Sequence, residues 1–282
     1  MYELTVRNSQ GASLRLNPSA DYSVASIDGL TPEGASVFAT DFTGADGAQK
    51  TGARIGVRNV VIAVVPTRDV ERGRVALYEF FRAKEEVTVS FRNGARDVRI
   101  DGTVESFEGS LFDNPQTLTA SIVCPQPYWR DAAGLVDQLY SVLDMFEFPF
   151  AIDSIGVPFS EVQETLQIPV RNEGESETGL YVTMTAHGTV RNPVLFDGTR
   201  RTYFGIEAVL NPEDVIVLDT RRGSKGLTLV RDGFESNIIN CMAEGSTWLQ
   251  LPIGETVFAL DADSNAELLD VRIHHDTLYQ GV

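Results

Sequence analysis

Residues 57–94 read VRNVVIAVVPTRDVERGRVALYEFFRAKEEVTVSFRNG. The β-branched run Val57–Val65 predicts a strand, and past Pro66 and Thr67 the apolar period changes. Val70, Leu77, Tyr78 and Phe81 share one helical face, with Thr67 placed to cap it and Asp69 in its first turn. The spacing predicts a helix of about four turns ending near Lys84. Alternation resumes in VTVSFRNG at 87–94, with Asn93-Gly94 as a hairpin turn into ARDVRIDGTVESF. Strand, helix, strand and hairpin thus follow one another, so the helix crosses over a unit that is otherwise β.

Working outward, YELTVRN (2–8), ASLRLN (12–17) and YSVASIDG (22–29) are short alternating segments separated by turn formers. The stretch TDFTGADGAQKTGARIG at 40–56 is rich in Gly, Asp and Thr and reads as a mobile surface loop. TLTASIVC at 117–124 closes the first set. From 131 to 150 the positions Leu135, Val136, Leu139, Tyr140, Leu143 and Phe146 fit a helical face, until Phe148-Pro149-Phe150 stops it.

Beyond 155 every segment reads as β. ETLQIPVRN, GLYVTMTAHG, NPVLFDG, TYFGIEAVL, DVIVLDT, GLTLVRD, TWLQLP, ETVFAL and ELLDVRIHHD are separated by Gly, Pro, Asn or Asp. Turn signals at about 8–12 residue spacing predict an antiparallel sandwich or barrel. Within STWLQLPIGETVFAL (246–260), Leu251–Thr256 resembles a sorting signal, but the Leu-Pro-x-Thr-Gly order is missing and no apolar run follows. It is a strand-to-strand turn, with Trp248 and Leu251 as core candidates.

The chain of 282 residues is long enough for two domains of about 130 residues, each with its own core. Its longest apolar run, Val60–Val65, is six residues, whereas a membrane-spanning helix needs about 20. With no signal-peptide pattern at the start either, the expected place of folding is a cytoplasm. The net charge of -17 is uneven: up to residue 135 there are 14 Lys and Arg against 17 Asp and Glu, and after it 9 against 23. That acidity argues against phosphate binding and suits a surface that must not adhere to DNA.

Catalytic readings fail on spacing. His274 and His275 are adjacent on a strand and so face opposite ways, one expected half-buried and the other exposed; His187 is the only other histidine. Asp261, Asp263, Asn265 and Glu267 alternate as in a calcium loop, yet Ala266 and Arg272 stand where glycine and glutamate are required, so a hairpin tip is expected. GESETG at 174–179 is no nucleophile elbow. Cys124 and Cys241 are too few and too far apart in sequence for a zinc site and are expected as packed thiols. Expected catalytic, cofactor and metal residues are therefore none. Trp129 and Trp248 could stack on a sugar, but burial is the expectation for both.

The run DGTVESFEGSLFDNPQTLTASIVCPQPYWRD at 101–131 resembles the end of the first domain in the distal tail protein family of siphovirus-type phage tails. The residues that carry the resemblance are Gly102, Phe112, Asn114, Gln116, Cys124, Pro125, Pro127 and Tyr128, followed by Trp129. Gly188, Asn192 and Pro193 in GTVRNPVLF, Asp219 in DVIVLDTRRG, SNIIN at 236–240, and Trp248 and Gly254 in WLQLPIGETVFAL continue it. One departure is Gly254-Glu255-Thr256, where the family commonly has a glycine and an asparagine.

The resemblance implies a mainly β fold with an N-terminal split β-barrel carrying one crossover helix (1–130), a connector (131–155) and a C-terminal antiparallel galectin-like β-sandwich (156–282). It implies a homohexameric ring, built by the first domain, that joins the tail tube protein to a tail-associated hub or fibre protein. The tape measure protein is a further candidate partner. DNA passes through without specific binding, nothing inserts into a membrane, and the protein belongs to the virion tail tip after assembly in the host cytoplasm. A carbohydrate-binding module for host adsorption is the alternative, and a wall hydrolase ranks below both.

Overall fold

A computed structural model describes residues 2–44, 46–110, 112–134, 136–140 and 166–282. The chain divides into two compact units, one of residues up to 134 together with Leu278–Val282, the other of Leu135–Thr277.

The first unit contains β1 (Glu3–Asn8), β2 (Ser13–Asn17), β3 (Tyr22–Asp28), β4 (Ala35–Asp41), β5 (Ala48–Ile55), β6 (Arg58–Pro66), α1 (Val70–Phe80), β7 (Glu86–Arg92), β8 (Asp97–Gly109), β9 (Leu118–Cys124) and β10 (Trp129–Asp131). Its main antiparallel sheet runs β2-β1-β7-β8-β9-β6-β3. The edge strands β2 and β3 approach each other, but no ladder joins them among the described residues. The sheet is therefore curled and split at that seam.

Alternation places Val60, Ile62 and Val64 of β6, Val87 and Val89 of β7, Val98 and Ile100 of β8, and Ala120 and Ile122 of β9 in one buried cluster. Each such Val or Ile side chain contributes about 1.5–3 kcal/mol when removed from water. Leu77 and Phe81 lay α1 over that cluster, and Phe81 stacks on Phe107 with centroids 5.3 Å apart.

Four local expectations are corrected here. Asp69, not Thr67, is the N-cap of α1: its carboxylate accepts from the Arg72 N–H at 3.1 Å, whereas the Thr67 hydroxyl donates to the Ala20 carbonyl and ties the helix entry to the end of the β2–β3 connection. The helix has eleven residues, about three turns. The β7–β8 turn spans Asn93–Arg96, because the Asn93 side chain accepts from Ala95 and Arg96 and so stabilises a longer loop than the two-residue Asn-Gly turn. The supposed loop at 40–56 is mostly the β4–β5 hairpin, which among the described residues pairs only with itself.

The second unit contains β11 (Val136–Tyr140), β12 (Leu166–Asn172), β13 (Thr178–Ala186), β14 (Val190–Asp197), β15 (Thr202–Gly205), β16 (Val209–Leu210), β17 (Val215–Asp219), β18 (Gly226–Arg231), β19 (Phe234–Asn237), β20 (Gln250–Leu251), β21 (Gly254–Ser264) and β22 (Leu269–His275). One sheet runs β11-β22-β13-β17-β18-β19 with β20 attached to β13; the other runs β12-β21-β14-β15 with β16 attached to β14. Val182, Met184, Ile216 and Val271 from the first sheet and Ile168, Leu195, Phe258 and Leu260 from the second form a single core. Both sheets are antiparallel, so the mainly β expectation holds.

Proline obeys the ladder rules. Pro169 lies on β12, which among the described residues is an edge strand paired only with β21. Pro193 lies where β14 changes partner from β16 to β15, beside Asn192 in the left-handed region at φ 51. The helix expected over 131–150 is contradicted at Val136–Tyr140, where β11 pairs with β22, so a tertiary ladder overrides the helical spacing. The rest of that segment, 141–155, lies outside the described residues. Residues 278–282, assigned by sequence to the sandwich, belong to the first unit, where β23 (Leu278–Tyr279) pairs with β10.

Gly102 shows how tightly β8 meets β9. A Cβ there would lie 2.7 Å from Ile122 Cγ2, 2.8 Å from Cys124 Sγ and 2.8 Å from the Val123 carbonyl. Gly102→Ala should therefore lower the stability of the first unit by about 1–3 kcal/mol, read as an earlier chemical-denaturation midpoint; an unchanged midpoint would show that β9 yields without strain.

Candidate assembly surfaces

The β4–β5 hairpin presents apolar side chains to solvent. Val37 is 61% exposed, Phe38 47% and Phe42 51%, and Val57, between β5 and β6, is 60% exposed. Every residue of β4 is exposed, and the Arg54 guanidinium lies over the Phe38 ring at 5.8 Å. An isolated two-stranded hairpin is marginal in water, and a row of exposed large apolar groups on one marks an interaction surface. On α1, Val75 and Tyr78 face outward while Leu77 faces the core.

The resemblance-bearing residues divide between packed and exposed positions. Gly102 on β8 meets Cys124 on the adjoining β9, Pro125 just after it is exposed, Trp129 is wholly buried in the first core, Pro127 is buried and Tyr128 half-buried. Gln116 is half-buried just before β9, whereas Asn114 is exposed and Phe112 is 96% exposed, so this stretch contributes no common packing.

In the sandwich, Gly188 packs where a Cβ would strike Leu268, and the Asn192 amide donates to Asp263 at 2.7 Å across the β14–β21 pair. Pro193 is buried. Asp219 holds Arg221 with both carboxylate oxygens, at 3.0 and 2.7 Å. Trp248 is half-buried against Phe204 at 5.3 Å with Lys225 5.4 Å from its centroid, Leu251 is fully buried, and Gly254 opens β21 at φ 95. Neither tryptophan stands free as a sugar platform. The hairpin residues Val37, Phe38 and Phe42 escaped the sequence reading because the Gly-, Asp- and Thr-rich stretch from Thr40 onward reads as a mobile surface loop.

Among the described residues no group of three or more His, Cys, Asp or Glu could hold a metal, and no helix is long and apolar enough to cross a membrane. Burial pushes the Cys124 thiol up to about 12, which makes it inert. Cys241 is also a free thiol. The hairpin tip expected at Asp261–Glu267 is corrected: Asp261 and Asp263 lie on β21 itself, and Asn265, in the left-handed region, with a short 3-10 turn at Ala266–Leu268 carries the chain from β21 in one sheet to β22 in the other.

His187 Nε2 meets Asp270 at 2.6 Å on the surface, and this carboxylate raises the imidazole above its usual range. His275 is fully buried and His274 half-buried against Tyr181, one step more buried than expected for each. Burial holds His275 below 6.5, and its Nε2 has no hydrogen-bond partner.

Comparison with solved structures places this geometry. The SPP1 Dit (gp 19.1) protein, described as a paradigm of hub adsorption apparatus in phages infecting Gram-positive bacteria, superposes with a TM-score of 0.68 over 97% of this chain and 98% of that one, at 12% identity. The chain has the fold of a phage tail hub protein. Chains of the phage P2 baseplate in its activated conformation, with Ca and with Sr, match at a TM-score of 0.56 and 9% identity over the same 97% and 98%. No family model and no curated protein sequence matches the chain. The likeness spans both units, so the hub fold covers the sandwich as well as the curled sheet.

His275 sets a pH dependence for the second unit. The unfolded chain takes up the proton near 6.5 and the folded one only at lower pH, so stability is fully present above 6.5 and is lost as the pH falls toward the depressed folded value. His187 works in the opposite sense, adding stability in acid that fades as the pH rises, but its exposure screens the effect. His275→Leu should flatten the fall in the second unit's unfolding temperature between pH 7 and 5, measured by calorimetry; an unaltered slope would mean that His275 does not titrate on unfolding.

Proposed function

We propose that this chain is a structural hub of a phage tail tip or baseplate, with no catalytic role. It assembles as a homohexameric ring through its first unit, and the second unit is a galectin-like sandwich. The ring joins the tail tube protein to a tail-associated hub or fibre protein, with the tape measure protein as a further neighbour, and leaves an axial passage for DNA. Assembly takes place in the host cytoplasm and the finished ring resides in the virion tail.

The observation that carries this reading is the likeness to the SPP1 hub protein over nearly the full length of both chains. The exposed β4–β5 hairpin supports self-association, because its apolar side chains need a cover and the described residues of its own unit supply none. A closed ring of identical copies provides that cover at every subunit and leaves no free end. The excess of acidic residues after position 135 suits a hub beside DNA, since it offers few cations to neutralise phosphates.

Light scattering on the purified chain over a range of concentrations tests the reading. A mass of about 185 kDa is expected, six times the 30.9 kDa chain. Val37→Asp with Phe38→Asp should reduce it to the single-chain mass while the circular dichroism spectrum is retained. A wild-type chain that stays monomeric at every concentration would contradict self-assembly, and a hexamer indifferent to the double substitution would move the contact away from the hairpin.

A further inference from the structure

Arg58, the first residue of β6, is a charged side chain with 1% exposure. Its Nε donates to the Pro127 carbonyl at 2.6 Å, its Nη1 to the Gly29 and Thr31 carbonyls at 2.5 and 2.8 Å, and its Nη2 to the Gln280 carbonyl at 2.6 Å. Glu33 stands 3.8 Å away as the nearest carboxylate. Burial lowers the pKa of this guanidinium, with Glu33 opposing, yet an arginine stays charged in a protein. Its donors must therefore find acceptors, and one of these comes from a segment that follows the whole second unit.

The rest of that segment is held equally closely. β23 pairs with β10 through Trp129–Tyr279 and Arg130–Leu278. The Tyr279 hydroxyl donates to Asp131 at 3.3 Å, and the Arg96 guanidinium lies 4.4 Å from the Tyr279 ring centroid while donating to the Gly281 carbonyl. The Val282 N–H donates to the Leu30 carbonyl at 3.0 Å. Gly281 passes so near the turn after β3 that a Cβ would lie 2.9 Å from Pro32 Cδ and 3.0 Å from the Leu30 carbonyl. The segment is read mainly through its backbone, with one aromatic anchor and one glycine that nothing larger can replace.

We infer that the first unit carries a peptide-binding slot whose ligand is the extended segment Leu278–Val282, and that the slot must be filled for this unit to close. The walls of the slot are the turn Gly29–Pro32, Arg58, Arg96 and β10. With the slot empty, the Arg58 guanidinium loses an acceptor in a place that water cannot easily serve, and the outer side of β10 loses its ladder. The strands of the first unit are all synthesised before the segment that completes them. The unit that presents the β4–β5 hairpin is thus finished only after the sandwich has been made, which delays any self-association until the chain can serve as a whole.

Deletion of residues 278–282, with hydrogen exchange followed by mass spectrometry, tests the inference. Amide protection around 29–32 and 127–131 should fall about tenfold or more while β13, β14 and β21 keep theirs. A synthetic peptide of residues 276–282, DTLYQGV, added to the shortened chain should restore the lost protection. Gly281→Val in the full chain should reproduce the local loss without removing any residue. Unchanged protection around 29–32 after the deletion, loss spread evenly over both units, or failure of the peptide to restore protection would each overturn the proposal.

Discussion

A guanidinium shut away from water governs the first unit. Removing a charge from solvent costs several kcal/mol unless each donor is met, and Arg58 meets that demand with backbone carbonyls at 29, 31, 127 and 280. These acceptors belong to the turn after β3, the approach to β10 and the segment beyond the sandwich. An apolar side chain could fill the same volume, but it would not require three distant stretches of chain to arrive in one arrangement. The buried charge therefore acts on specificity of the closed form more than on the sum of favourable contacts.

The rest of the unit divides its surface accordingly. The core strands β6 to β9 bury one face through strict alternation, and α1 covers part of the cluster with Leu77 and Phe81. The β4–β5 hairpin stands outside this arrangement, with exposed Val37 and Phe38 and no partner strand beyond its own pair. An element with such poor internal support is retained where another molecule supports it. The sandwich carries the chain's excess of acidic groups and closes around its own core.

Most strands were legible in the sequence because their period is set by burial of one face, which is a local property. The helix was legible for the same reason, since Leu77 and Phe81 repeat at helical spacing. Its cap was not, because Thr67 and Asp69 are both capping residues and only the tertiary bond from Thr67 to Ala20 decides between them. The segment at 136–140 has helical spacing and is a strand, because β22 offers a ladder that no local pattern reports. The hairpin at 35–55 was obscured by glycines at its tip.

The resemblance-bearing residues were found as positions in an order, and their physical roles came only with the fold. Gly102 is explained by Ile122 and Cys124, Asn192 by Asp263, and Trp129 by a core it shares with β8 and β9. Arg58 gave no signal, since a lone arginine before an apolar run ordinarily marks an exposed strand end. Nor could sequence place Gln280 beside it, as the two are separated by most of the chain.

Electron microscopy of the purified chain tests the central claim most directly. Particles seen end-on should average to a ring of six equal subunits around an opening wide enough for duplex DNA. Particles without six-fold symmetry, or a six-fold assembly closed at its axis, would contradict the hub account.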